Sequence, residues 1–364
     1  MVAAVITTIQ KPTRGVVRLV QKLAEYGGSL VVAGDKQGPA HFRSPHFADG
    51  CQMDFLTLAD QHASEFDLAR KLPVGSYSRK NIAYLHAIAA GAQLLYETDD
   101  DNAPLDSWKP RSESVATVRS IDPTNGRWVN AYRYFSSELI WPRGFPLSEI
   151  HLAAPETKMV AALRSPIQQG LANGSPDVDA VWRLIFDRAF AFVNAPSVVL
   201  QAGNWCPFNT QSTWWWPVVY PLLYLPSYCS FRTCDIWKSF IAQRCLWELG
   251  YGITFHAPEV FQDRNQHDLD RDFADEVPGY TRNKEIADVL SRLELKRGEA
   301  RIGDNLHRCY ETLVAAGIFR SPEVELVELW LEDLRLAIAT TNKAKCAKST
   351  SGNGSDVDVD GACQ

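Results

Sequence analysis

Ala92-Gln-Leu-Leu-Tyr-Glu-Thr-Asp-Asp-Asp-Asn102 is the stretch on which the fold turns. Its first five residues are short and mostly apolar, the pattern of a buried strand. The run ends abruptly in Glu97, Thr98 and three consecutive aspartates. Open α/β sheets bind ligands beyond the carboxyl ends of their strands. An apolar strand that runs straight into Asp99, Asp100 and Asp101 therefore puts carboxylates where such a sheet would use them. Just upstream, Ser78 stands where an N-cap belongs, and Ile82, Leu85 and Ala89 follow at helical spacing up to Gly91. The segment reads as a helix followed by a buried strand.

The same grammar recurs at the start of the chain. Val2 to Ile9 is a β-branched run, and Thr13 is placed to cap a helix carrying Val17, Val20 and Ala24. Gly27-Gly28 closes that helix, as glycine does at helix C-termini. Ser29 to Ala33 is the next buried strand, with Gly34-Asp35 at its carboxyl end. Alternating strand and helix signals predict an α/β, Rossmann-like nucleotide-binding domain with a mixed central sheet. The middle, roughly 103 to 230, is rich in Pro and Trp and is expected to supply loops and strands around a pocket. Asp235 to Gly250 reads as a helix, and helical spacing resumes from Lys284 and again from Ser321-Pro322-Glu323. The expected organisation is a catalytic domain over 1–280, a helical region over 281–345 and a disordered tail over 346–364.

Composition narrows the classes. The chain has 364 residues, 46% hydrophobic and 22% charged, with a net charge of −6. This is the balance of a globular protein without the broad basic face that nucleic acid requires. Eight cysteines include no CxxC pair, which argues against structural zinc. The amino terminus has no basic region ahead of its short apolar run, and Trp214 to Leu225 is too short to span a bilayer. The expectation is a cytoplasmic chain with no transmembrane segment. No GxGxxG, Walker A, HExxH or GxSxG string occurs, against dinucleotide, NTPase, zincin and hydrolase chemistry.

Hard divalent cations take carboxylate oxygens, and Mg²⁺ or Mn²⁺ is commonly held by one or two carboxylates plus substrate phosphates. In an extended segment residues i and i+2 point to one side, so Asp99 and Asp101 can face one metal diphosphate, with Asp100 beside them. The plain alternative is a solvated acidic loop. Arg79 and Lys80 open the helix before the acidic strand. Helix N-termini attract anions, and cations there oppose the helix dipole, which is an argument for a phosphate role, with two ordinary surface charges as the equal alternative. Asp35 either contacts a ribose or base or caps its turn. Trp214-Trp-Trp216 offers faces for a sugar ring or filler for the core.

Taken together, the strings resemble the STELLO-type glycosyltransferases of plants and their bacterial and protist relatives. The resembling pieces include Val5-Ile-Thr-Thr-Ile9, Val31-Val-Ala-Gly-Asp-Lys36, Tyr77-Ser-Arg-Lys-Asn-Ile82, Tyr96-Glu-Thr-Asp-Asp-Asp-Asn102, Trp141-Pro-Arg-Gly-Phe-Pro-Leu147, Pro176-Asp-Val-Asp-Ala180, Pro207-Phe-Asn-Thr-Gln211, Phe231-Arg-Thr-Cys-Asp-Ile-Trp237 and Arg264-Asn-Gln-His267. They run in family order across roughly 1–280. A more distant likeness is to the reversibly glycosylated polypeptides, which include UDP-arabinopyranose mutases. The resemblance implies a GT-A fold, a UDP-sugar donor and Mn²⁺ or Mg²⁺ at Asp99 and Asp101, and the expected partner is a glycan or other hydroxyl acceptor. Thr7, Asp35, Arg79, Lys80, Asp100 and Arg264 are then expected around the nucleotide diphosphate, and His267 as a third metal ligand. An inverting transfer also needs a carboxylate to take the acceptor proton. The candidates are Asp235, just ahead of a helix and on sequence grounds better read as its N-cap, and Asp179, which follows the turn-rich Asn173-Gly-Ser-Pro176 at the border of a pocket. The plant members carry a membrane anchor and sit in the Golgi, and neither property is carried over. Three rivals stay open: a UDP-sugar mutase, a non-catalytic protein that binds a sugar nucleotide or a partner protein, and a nucleotidyltransferase.

Overall fold

The computed structural model describes residues 1–263 and 268–351. Strands run in chain order as β1 (Val2–Thr8), β2 (Ser29–Gly34), β3 (Gln52–Leu56), β4 (Leu94–Thr98), β5 (Asn102–Pro104), β6 (Ser114–Ile121), β7 (Arg127–Trp128), β8 (Lys158–Arg164), β9 (Ile167–Gly174), β10 (Val198–Leu200), β11 (Asn204–Trp205), β12 (Ser212–Trp215) and β13 (Ile253–Gln262). Helices are α1 (Arg14–Glu25), α2 (Leu58–Ala63), α3 (Leu68–Lys71), α4 (Lys80–Ala89), α5 (Ala180–Phe186), α6 (Cys234–Trp247), α7 (Leu269–Arg292), α8 (Ile302–Ala315) and α9 (Pro322–Ser351).

One large sheet organises the molecule, in the order β3-β2-β1-β4-β12-β9-β13-β10-β6-β8, with β5 paired to β13. The first four strands are parallel, in the 3-2-1-4 order of a nucleotide-binding α/β half. From β12 onward the sheet is mixed: β12 runs antiparallel to β4 and β9, and β9 and β13 run parallel to each other. The expected α/β class with a mixed central sheet and a helical C-terminal region is what the structure has.

The reason β1 and β2 lack polar alternation is visible in the two cores. Ala3, Val5, Val31 and Ala33 pack with α4, whereas Ala4, Ile6, Leu30 and Val32 pack with Val16, Leu19, Val20 and Leu23 of α1. A parallel sheet covered on both faces needs apolar residues at both parities. Thr13 caps α1 through its hydroxyl, which accepts from Val16 N at 3.1 Å. Trp214, Trp215 and Trp216 are all buried. Trp214 Nε1 donates to Glu259 at 2.9 Å and Trp215 Nε1 to Glu97 at 2.8 Å. They are core, and the alternative of an exposed stacking surface falls away.

Three boundaries differ from expectation for local reasons. The acidic strand is Leu94–Thr98, so Glu97 and Thr98 belong to it and are buried. The helix before it begins with a 3₁₀ turn, Tyr77–Arg79, whose cap is Ser76 rather than Ser78. Lys284 proved to lie well inside α7, which continues through Pro278.

The candidate active site

Helix α1 packs on one face of the sheet and α4 on the other, so the order reverses between β1 and β4. A crevice at such a switch point is where ligands bind in doubly wound sheets. Here it is a cleft of about 400 Å³. One wall is made of strand ends: Thr7 to Gln10 after β1, Asp35 after β2, and Asp99 to Asp101 after β4. The other wall comes from later chain: Arg143, Pro176 to Val178, Arg183, Phe231, Arg232 and Asp235.

On the first wall the three aspartates sit half-buried in a tight turn closed by Asn102 N to Asp99 O at 3.4 Å. Gly15 of α1 allows this turn to press on the helix: a Cβ there would meet the carbonyl of Asn102 at 3.1 Å. Asp99 Oδ1 accepts from Lys80 Nζ at 2.8 Å and from the Tyr77 hydroxyl. Asp100 accepts from the Thr8 hydroxyl. Asp101 Oδ2 accepts from Gln262 Nε2 at 2.9 Å, while its Oδ1 is buried with no hydrogen-bond partner. Burial raises Asp100, and burial followed by the charge of Asp99 pushes Asp101 up to about 7. An orphaned buried carboxylate oxygen beside two further carboxylates is a set that a divalent cation fits. Among the described residues no three His, Cys, Asp or Glu converge as a complete metal cage. Mg²⁺ and Mn²⁺ sites of the one- or two-carboxylate kind are finished by substrate oxygens, so this agrees with the fit.

Asp35 braces a neighbouring loop. Its carboxylate accepts from Gly75 N and Ser76 N, both at 2.9 Å. Thr7 lines the cleft and donates its hydroxyl to Ala33 O at 2.9 Å.

Three expected residues need relocation. Arg79 is fully buried and faces away from the cleft. It donates to Gln61 Oε1 at 2.8 Å and to Ala69 O at 2.8 Å, tying the 3₁₀ turn to α2 and α3. Its burial pulls its pKa down. Lys80 is fully buried too and lies beneath Asp99, also holding Thr98 O at 2.7 Å. Neither presents a free charge to a diphosphate. Asp179 is the N-cap of α5, accepting from Trp182 N at 2.8 Å and Trp141 Nε1 at 2.6 Å, with burial raising it to about 7. It lies outside the cleft lining. Arg264 and His267 fall outside the described residues.

Asp235 does reach the cleft, but not as a free base. Arg143 grips two carboxylates at once: Nε and Nη2 hold Asp177 at 2.7 and 2.9 Å, and Nη1 and Nη2 hold Asp235 at 3.0 and 2.7 Å. Burial alone would raise Asp235. The guanidinium outweighs it and leaves the carboxyl below its usual range, which weakens it as a proton acceptor.

Arg143, Tyr77, Phe231 and Arg232 carry roles that were not foreseen. Arg143 had a faint signal in Pro142-Arg143-Gly144, since glycine in the left-handed region marks a turn that aims its neighbour. Gly144 has φ +83°, and a Cβ there would lie 2.3 Å from Ile236 Cγ2.

Residues 232–354 match the model of the family described as STELLO glycosyltransferases. The matched segment is about one third of the chain, and it begins at Arg232 on the second cleft wall and runs through α6 and the C-terminal helices. Two relatives from Arabidopsis thaliana are named probable glycosyltransferases: STELLO2, 29% identical over 309 residues, and STELLO1, 28% identical over 308 residues. Each alignment covers 77% of this chain, but only 39% and 38% of the respective relatives. The chain thus spans about two fifths of their length. Among solved structures, glucosyl-3-phosphoglycerate synthase from Mycobacterium tuberculosis aligns over 78% of this chain and 80% of that one, at 8% identity and a TM-score of 0.37. Among the described residues no helix is long and apolar enough to cross a membrane.

Proposed function

We propose that this chain transfers a sugar from a nucleotide-diphosphate sugar, a UDP-sugar in particular, to a hydroxyl acceptor during synthesis of a cell-surface glycan. The observation that carries this reading is the convergence of Asp99, Asp100 and Asp101 with the ends of β1 and β2 in one cleft at the sheet's switch point. The acceptor oxygen forms a bond to the anomeric carbon, the bond from that carbon to the diphosphate oxygen breaks, and the acceptor proton passes to a base or to water.

Charge supports a divalent cation as part of the site. The cleft lining carries Asp35, Asp99, Asp100, Asp101, Asp177 and Asp235 against Arg143, Arg183 and Arg232. Arg143 is committed to two of those carboxylates, and Arg232 to Glu276 at 2.6 Å. A diphosphate entering an acidic cleft is repelled unless a cation accompanies it. Mn²⁺ or Mg²⁺ held by Asp99 and Asp101 would supply that charge and neutralise the leaving diphosphate. The chain's own groups orient it: Lys80 and Tyr77 fix Asp99, Gln262 fixes Asp101 and Thr8 fixes Asp100.

The test is a thermal-shift series with nucleoside diphosphates and their sugars, with and without Mn²⁺, on wild type and on Asp99→Asn/Asp101→Asn. A ligand that binds only the native state raises Tm with saturation. Stabilisation by a uridine diphosphate that needs metal and vanishes in the double variant is expected. A folded wild type with no nucleotide response would overturn the reading.

A further inference from the structure

The second wall of the cleft contains a feature that donor binding does not require. The turn Ser230–Thr233 is held from several sides. Ser230 Oγ donates to Asp275 O at 2.6 Å, Thr233 N to Ser230 O at 2.9 Å, Arg232 pairs with Glu276, and Arg143 donates to Arg232 O. From this fixed turn Phe231 projects with 59% of its surface exposed, at the cleft. Its one ring partner among the described residues is Tyr77, edge-on with centroids 5.5 Å apart. A flexible surface turn can carry an exposed phenyl without meaning. A braced turn at a cleft holds that phenyl in a set orientation, and an ordered exposed ring at a pocket is a stacking surface.

The groups beside it say what stacks. Asp177 and Asp235 line the same wall, oriented by Arg143. Both oxygens of Asp177 and Oδ2 of Asp235 keep a second lone pair beside Arg143, whereas Asp235 Oδ1 also accepts from Ile236 N at 3.0 Å. An apolar platform next to fixed carboxylate acceptors matches a ring with one apolar C–H face and a rim of hydroxyl donors. A uracil matches it less well, because its edge offers one N–H donor between two carbonyl acceptors that the carboxylates repel.

Resting on the transferase reading above, we propose that Phe231, with Asp177 and Asp235 on their Arg143 clamp, forms the subsite for a sugar ring of the acceptor, so that the acceptor is a carbohydrate. The nucleotide occupies the strand-end wall and the acceptor ring lies against the Phe231 wall, facing it across the cleft.

The full-length chain is tested with UDP and Mg²⁺ present, using saturation-transfer NMR on methyl glucopyranoside, methyl galactopyranoside and methyl mannopyranoside. Phe231 is exposed, so Phe231→Ala and Phe231→Trp are expected to fold. Expected are transfer to the ring protons of at least one pyranoside in wild type, about tenfold weaker binding in Phe231→Ala, rescue in Phe231→Trp, and an unchanged thermal shift with UDP in both. Equal pyranoside binding in Phe231→Ala, or no pyranoside binding to wild type, overturns the proposal. Loss of the UDP shift in Phe231→Ala overturns it in favour of a nucleobase platform. Absence of a UDP shift in wild type itself instead sinks the donor reading, so the two failures are separate.

Discussion

Arg143→Met isolates the strongest electrostatic dependency in the cleft. The guanidinium is buried and makes four hydrogen bonds to two buried carboxylates. Methionine keeps much of the side-chain volume and removes every donor. Two carboxylates are then left without the partner that offset their desolvation. Breaking a buried pair from one side costs about 3–5 kcal/mol, and residual attraction from Arg232 and Lys238 to Asp235 keeps the figure within that range despite two orphaned acids. Urea unfolding followed by tryptophan fluorescence reads the loss. The triple variant Arg143→Met/Asp177→Asn/Asp235→Asn removes the stranded charge and should regain more than half of it. The pH dependence supplies a second check. In wild type the depressed Asp235 contributes stability that is present above the ordinary carboxyl pKa and is lost as pH falls through the depressed value. Without Arg143 the desolvated carboxyls rise instead, so the deficit of Arg143→Met shrinks on acidification. A deficit below about 1 kcal/mol, or a triple variant as unstable as the single one, would show that the clamp is not what holds this wall.

Lys238→Met strands Glu97, which is buried with it at 2.6 Å, and should cost about 3–5 kcal/mol in urea unfolding, with Lys238→Met/Glu97→Gln recovering most of it. Gly144→Ala forces a Cβ into Ile236 at a φ of +83°. A loss of about 2–4 kcal/mol is expected, with Gly126→Ala, at φ +93° but with open space around it, losing clearly less. Asp179, raised to about 7 by burial, gives stability that is full below pH 4 and lost as pH rises through 7. That amounts to roughly 4 kcal/mol, so the gap between Asp179→Asn and wild type should move in the variant's favour between pH 5 and pH 8. Parallel pH profiles for the two proteins would refute it.

The parts that sequence reading found are those set by neighbours in the chain. Thr13 caps α1, Gly27 and Gly91 end helices with positive φ, and the aspartates lie at the end of β4. Each follows from a local pattern of capping, periodicity or turn chemistry. The misplaced residues are those whose direction is decided far away. Arg79 looked like a phosphate ligand because it stands beside Lys80 at a helix start. It points inward because Gln61 and the carbonyls of Ala69 and Leu72 are there to receive it. Asp235 looked like a base or a cap, and its role is set by Arg143, 92 residues earlier. Spacing along a chain says where an acid sits on its own element. It does not say which guanidinium from another element meets it.

Helix α6 shows what those distant pairings achieve. Asp235 and Lys238 are three residues apart, and positions i and i+3 share a helix face. Asp235 holds Arg143 on the second wall, while Lys238 reaches Glu97 within β4, two residues before Asp99 on the first wall. One turn of helix therefore pins both walls of the cleft by buried charge pairs. Each pair has little freedom to slide, because a shift that lengthens it exposes a desolvated charge without compensation. Hydrophobic contacts around α6, by comparison, tolerate small displacements. The distance between the aspartate turn and the Phe231 wall is thus fixed by the Arg143–Asp235 and Lys238–Glu97 pairs. In the proposed transfer, which must bring an acceptor hydroxyl within attacking range of an anomeric carbon, that fixed distance would be the contribution of α6, since misplacement by about 1 Å can cost two orders of magnitude in rate.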